Sequence, residues 1–141
     1  MTHNARTMQT KRIKWKDINW IIAESYVNRL QVRIVKAVQK DKWRLVKRLQ
    51  KLITNSFYAK AIAVKRVITN KGKHTPGVDK VVWATDEDKS KAIEKLDTSK
   101  YQAQPLRRVY IEKYGKKEKR PLGIPTMQDR AMQGLSGFRN V

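Results

Sequence analysis

From Trp20 to Val38 the apolar residues Trp20, Ala23, Val27, Leu30, Ile34, Ala37 and Val38 recur at a spacing that places them in one arc of an α-helix. Arg29, Arg33, Lys36 and Lys40 fall on the opposite arc. After a short break at residues 39–41 the construction repeats. Val46, Leu49, Ile53, Phe57, Val64, Val67 and Ile68 form the apolar stripe of a long second helix, and Arg44, Lys47, Arg48, Lys51, Lys65 and Arg66 lie away from it. Asp41 is a candidate N-cap for this helix, and Asn70-Lys71-Gly72 is a stop, since glycine takes the left-handed conformation without steric cost. Two antiparallel helices are expected. Lys60 falls inside the apolar arc, so either the helix bends near Asn55-Ser56 or the side chain extends along its methylene stem to the surface. The pattern leaves both open.

Residues 69–79 read as a loop, since Asn70, Gly72, Pro76 and Gly77 are turn formers. Val81-Val82-Trp83 reads as a short strand or extended anchor, with Trp83 plugging the core. Thr85 and Asp88 stand at the positions of a capping box, so a third helix is expected from Asp86 to about Leu96. Residues 107–113 alternate Val109 and Ile111 against Arg108 and Tyr110, and residues 120–124 give a second apolar run. With the turn at 114–119 they predict a β-hairpin with a lysine-rich tip. Thr126 is placed to cap a last helix from Met127, with Asp129 at its third position. Gly134, Gly137 and the shortage of bulky apolar residues predict that this helix frays. The fold class expected is mainly α with a small antiparallel β-hairpin.

Charge changes the picture from fold to partner. The 141 residues include 33 Lys and Arg against 12 Asp and Glu, a formal net charge of +21. Self-repulsion on that scale is best offset by a polyanion, which points to phosphate. The charge is uneven: residues 1–78 hold 19 basic and three acidic residues, while residues 79–141 hold 14 and nine. Between Lys42 and Val78 ten basic residues accumulate without one acid. Ordinary solubilising faces mix the two signs, so these helix faces read as a surface for RNA or DNA. Phe57, Tyr58, Tyr101, Tyr110 and Tyr114 are candidates for stacking on unpaired bases, although Phe57 is also expected in the core.

Other chemistries find little support. There is no cysteine and histidine is limited to His3 and His74, which excludes disulfides and argues against a zinc site. Asp86-Glu87-Asp88 is the one acidic cluster, and helix capping accounts for it better than metal binding. No glycine-rich phosphate loop of the P-loop type and no Ser-His-Asp set occurs. No apolar run approaches membrane-spanning length, and the first 20 residues lack a signal core. Membrane-surface binding ranks last, because the tryptophans fall within core-facing patterns.

Several segments together resemble the amino-terminal domain of group II intron reverse transcriptase/maturases: Ile18-Asn19-Trp20, Leu30-Gln31-Val32-Arg33-Ile34, Leu49-Gln50-Lys51-Leu52, Ser56-Phe57-Tyr58-Ala59-Lys60-Ala61 and Ala63-Val64-Lys65-Arg66-Val67. The resemblance becomes specific with Thr75-Pro76-Gly77-Val78-Asp79, Pro105-Leu106-Arg107-Arg108-Val109-Tyr110-Ile111, Arg120-Pro121-Leu122-Gly123-Ile124-Pro125-Thr126 and Asp129-Arg130-Ala131, in the family's order. It covers roughly Trp15 to Gln133. Residues 1–16 are polar and basic without periodicity and read as a flexible arm, and the resemblance divides the rest into a basic helical amino-terminal domain (17–73), a partial fingers region (74–133) and a divergent tail (134–141).

In that family the whole enzyme copies RNA into DNA and helps its intron splice as a ribonucleoprotein. The resemblance implies that Lys113 and Arg120 match fingers positions that contact the incoming nucleotide triphosphate, a point charge beside a planar fork. Glu112 stands where the family usually has proline, the hairpin tip is about one residue longer, and Lys80 replaces a common glycine. By the same comparison the chain is expected to stop before the palm and its catalytic aspartates. It would then bind no cofactor, with Mg²⁺ expected only alongside a complete palm, and would be no enzyme alone. The function expected is binding of structured group II intron RNA through Arg29, Arg33, Lys36, Lys40, Arg44, Lys47, Arg48, Lys51, Lys65, Arg66, Arg107 and Arg108. The alternatives are a structural RNA-binding subunit of a larger ribonucleoprotein such as a ribosome, and one part of a split polymerase with a separately encoded palm and thumb. A bacterial cytoplasm, or an organelle of bacterial descent, is the compartment implied.

Overall fold

The computed structural model describes residues 13–70, 73–112, 115 and 118–140. Its elements are a 3-10 turn at Trp15–Asp17, helices α1 (Trp20–Gln39), α2 (Trp43–Thr54), α3 (Phe57–Thr69) and α4 (Asp86–Lys95), strands β1 (Arg107–Glu112) and β2 (Lys119–Ile124), and helix α5 (Met127–Gly137). The fold is mainly helical with one antiparallel two-stranded sheet, as the patterning predicts. Residues 1–12 of the expected arm and the expected stop at Lys71-Gly72 lie outside the described residues.

Helix α1 begins where Asn19 caps it, its side-chain oxygen accepting from the Ile21 and Ile22 amides at 3.1 and 3.2 Å. Ala23, Val27, Leu30, Ile34 and Ala37 form its buried face. Its end departs from expectation. Asp41 caps no helix; it adopts φ +54° and closes α1, with its amide bonded to the Val38 carbonyl at 3.0 Å and the Lys42 amide to the Ala37 carbonyl at 2.9 Å. That pair of bonds around a left-handed residue is the Schellman arrangement, and aspartate is among the few non-glycine residues that tolerate the conformation. Helix α2 therefore starts at Trp43, with Lys42 at the N-cap position and no side-chain cap.

The long second helix is in fact two. The Ser56 hydroxyl donates to the Ile53 carbonyl at 3.0 Å and accepts from the Ala59 amide at 3.1 Å, ending α2 and capping α3 with the same atom. Thr54 adds to the break by donating to the Gln50 carbonyl at 3.1 Å, a back-bond that bends helices. Beyond the break Lys60 is half-buried, and desolvation pulls its ammonium pKa below the usual lysine value while Asp97 opposes the shift.

Helix α3 is the centre of the core. Ala59, Ala61, Ile62, Ala63, Val64 and Val67 are buried, and the helix touches α1, α2, α4 and α5. Three alanines let neighbouring backbones approach closely, while Ile62, Val64 and Val67 fill the remaining volume. The expected capping box of α4 is present: the Thr85 hydroxyl accepts from the Asp88 amide at 3.1 Å and the Asp88 carboxylate accepts from the Thr85 amide at 3.2 Å. Trp83 is half-buried against the core as anticipated, but Val81–Trp83 forms no strand. Asp79 accepts from the Val81 amide and Lys80 turns to φ +60°, which bends the chain out of an extended path.

The hairpin pairs Arg107 with Ile124 through Glu112 with Lys119, and β1 alternates half-buried and exposed positions as its sequence does. Helix α5 is better built than its glycines suggest. Thr126 caps it, Met127, Asp129, Ala131, Met132 and Leu135 are buried along it, and Phe138 closes it against the core. Gln31 and Gln50 donate to the Phe138 and Arg139 carbonyls, and the Arg66 guanidinium lies 4.8 Å from the Phe138 ring centre. Fraying was expected from a count of bulky residues within the helix; the partners that hold its end come from α1, α2 and α3.

The first turn of α5 also gathers the loops. The buried Asp129 carboxylate accepts from the Tyr101 hydroxyl at 2.7 Å and the Gln104 amide at 3.0 Å. Arg130 donates to the carbonyls of Pro125 and Thr75, and Gly77 packs directly on the Thr126 backbone. Burial, and then the Asp129 carboxylate, push the Tyr101 hydroxyl up to about 12.

The same substitution is expected to act with opposite sign at two glycines. A Cβ on Gly77 would lie 2.6 Å from the Thr126 backbone, so Gly77→Ala should destabilise the protein by about 1–3 kcal/mol. A Cβ on Gly134 meets nothing within 4 Å inside a helix, so Gly134→Ala should stabilise it by about 0.5–1 kcal/mol; urea titrations of both variants check the pair. For Tyr101 the folded pKa is raised, so its contribution to stability is present below pH 10 and is lost as pH rises towards about 12. The melting-temperature gap between the wild type and Tyr101→Phe should therefore close across that interval.

Candidate nucleic-acid interface

The basic side chains of α1 and α2 come out as two rows. Arg29, Arg33, Lys36 and Lys40 are exposed along one flank of α1, a run of about 16 Å at the helical rise. Arg44, Lys47, Arg48 and Lys51 are exposed along the face of α2 that points away from buried Val46, Leu49 and Ile53. The Schellman turn joins the two helices, which pack together, so both rows belong to one helix pair. Among the described residues none of these eight cations has an ion-pair partner; the ion pairs Lys89–Asp86 (3.7 Å) and Lys91–Glu87 (3.2 Å) both lie within α4. The mixed-sign helix is thus α4, and the positive field of α1 and α2 is left uncompensated for a polyanion.

Other candidates are placed elsewhere. Lys65 sits 4.5 Å over the Trp20 ring and Arg66 over Phe138, so both are engaged in packing the helical core. Arg107 and Arg120 share one face of the hairpin with Val109, Ile111 and Leu122, whereas Arg108 lies on the other face beside Tyr110. Lys113 and Tyr114 lie outside the described residues. Of the other candidate stacking residues, Phe57 and Tyr58 pack against the core and Tyr101 is bonded to Asp129; Tyr110 alone of the described ones is open.

Trp43 corrects the sequence reading: it is 55% exposed at the first turn of α2, next to Arg44, and faces away from the core. Exposed Ile22 likewise falls on the basic flank of α1. Both were hidden because an apolar residue in a helical pattern reads as core. No described helix is long and apolar enough to cross a membrane, and no group of three acidic or histidine side chains among the described residues could hold a metal ion.

The Trp15 amide donates to the Ser90 hydroxyl at 3.1 Å, and the Trp15 ring contacts Trp20 edge-on and carries Lys89 at 5.7 Å. These contacts tie the 3-10 turn to α4. In comparison with known families, residues 15–96 match the N-terminal domain of reverse transcriptase. Among individual proteins, the group II intron-encoded protein LtrA of Lactococcus lactis subsp. cremoris is 39% identical over 74 residues, 51% of this chain and 12% of LtrA. Protein YkfC of Escherichia coli (strain K12) is 36% identical over 113 residues, 76% of this chain and 29% of YkfC. The chain thus spans less than a third of either relative. Lys80, where the resemblance implies a glycine, holds the left-handed conformation that glycine adopts freely. On these matches, this chain belongs to the N-terminal domain family of reverse transcriptases, in the form carried by group II intron proteins.

Proposed function

We propose that this chain grips structured RNA, and specifically group II intron RNA, through the two basic rows of α1 and α2. The observation that carries the reading is the set of eight exposed cations without ion-pair partners among the described residues, on two helices packed together. An RNA helix is recognised mainly by shape and backbone, which suits rows of Lys and Arg held at fixed spacing. Each cation that meets a phosphate releases condensed counterions, so affinity comes largely from electrolyte entropy. Trp43 and Ile22 add apolar contact beside the rows. The name of LtrA, a group II intron-encoded protein, supplies the choice of intron RNA.

Filter binding to a folded group II intron RNA across a salt series is the test. With six to eight phosphate contacts, affinity should fall by roughly a thousandfold or more between 50 and 200 mM salt. Replacing Lys47, Arg48 and Lys51 together with alanine should lower the slope of log affinity against log salt by about 0.9 per residue, while Lys89→Ala with Lys91→Ala on α4 should leave it unchanged. A flat salt response contradicts the reading.

A further inference from the structure

The hairpin has two unlike faces. On one, Arg107, Val109 and Ile111 are half-buried. On the other, Leu106, Arg108 and Tyr110 follow one another at two-residue spacing, opposite Gly123 and Pro121 on β2. That second face is open: Leu106 is 59% and Tyr110 57% exposed, and Pro121 and Gly123 are exposed as well. Because Gly123 carries no side chain, Leu106 folds over it, and a Cβ there would lie 2.6 Å from the Leu106 methyl. The result is an open groove of about 530 Å³ with an apolar floor and Arg108 along its side.

The charge on this face is positive and unspent. By register Glu112 stands opposite Lys119, a residue of opposite sign, whereas Arg108 faces a glycine and has no ion-pair partner among the described residues. Addition of a further strand is disfavoured because Pro121 removes a backbone donor from β2. An exposed tyrosine ring and a proline ring side by side across the strands, with a free guanidinium one position along, match the needs of an unpaired nucleotide: a flat surface for the base and a fork for the phosphate. A duplex, whose base faces are already stacked, has nothing to offer the ring.

We propose that this outer face of the hairpin is a second nucleic-acid site, in which Tyr110 and Pro121 receive a base of single-stranded RNA and Arg108 its phosphate. The site rests on the reading of the chain as an RNA-binding protein, and it adds a ligand class that the rows on α1 and α2 do not distinguish. It is separate from the face bearing Arg120.

The test uses the full chain, an unstructured RNA of about ten nucleotides and an RNA hairpin of comparable length, each end-labelled, with fluorescence anisotropy at one moderate salt concentration. Tyr110→Ala should weaken single-strand binding about tenfold, and Tyr110→Trp should retain it. Arg108→Gln should weaken it and lower its salt slope by about 0.7. The RNA hairpin has its stem closed by a non-nucleotide linker and so offers no unpaired base; its binding should be unchanged by Tyr110→Ala, since that ligand is held elsewhere, and an unchanged melting curve shows that the fold is intact. Equal single-strand affinity of the wild type and Tyr110→Ala, with hairpin binding normal, overturns this site alone. Equal loss for both RNAs assigns Tyr110 a merely structural role and overturns it too. Displacement of the single strand by oligoglutamate as readily as by unlabelled RNA overturns it in favour of an acidic protein segment. Failure of the wild type to bind either RNA removes the parent reading and this one with it.

Discussion

The hydroxyl of Ser56 holds the carbonyl that ends α2 and the amide that begins α3, and the arrangement of the other helices follows from that turn. A continuous helix would have kept one buried face and one solvent face throughout. Broken at Asn55-Ser56, the chain makes two helices of different character. Helix α2 stays amphipathic, with Val46, Leu49 and Ile53 inward and its cations outward. Helix α3 turns into the interior and is packed from several sides, its alanines admitting α1, α4 and α5.

That division of labour organises the charge. A helix buried on most of its surface cannot carry free cations, and the three basic residues of α3 are each accommodated: Lys60 is half-buried near Asp97, Lys65 lies over Trp20 and Arg66 over Phe138. The uncompensated charge is concentrated on α1 and α2, whose cores are satisfied by α3. The loops that follow are drawn back to the start of α5, where Asp129, Arg130 and the close approach at Gly77 fix the segments on either side of the hairpin. The hairpin is therefore presented from an anchored base with its outer face bare.

The legible parts of this structure are those governed by local rules. Helix α1, the Thr85–Asp88 box, the hairpin and the start of α5 could be read because caps and periodicity act within a few residues. The break at Ser56 was only half legible, and the reason is geometric. Val46 and Val64 are separated by about five full turns, so the apolar stripe stays in phase across the break, and Lys60 was the one residue out of place. Asp41 was misassigned because aspartate suits both an N-cap and a left-handed residue, and only the bonds to Val38 and Ala37 choose between them. The two basic rows were visible in the sequence; the diversion of Lys65 and Arg66 was not, since it depends on rings at Trp20 and Phe138 far along the chain. The separation of Arg107 from Arg108 was available in principle, because adjacent strand residues point to opposite faces.

The helical core segregates positive charge, and on the proposed function α1 and α2, and not α4, meet RNA. Lysine acylation read by mass spectrometry, with and without a folded intron RNA, tests it most directly. Lys36, Lys40, Lys47 and Lys51 should be protected by the RNA while Lys91 and Lys95 stay reactive. Protection spread evenly over all lysines, or confined to α4, would contradict it.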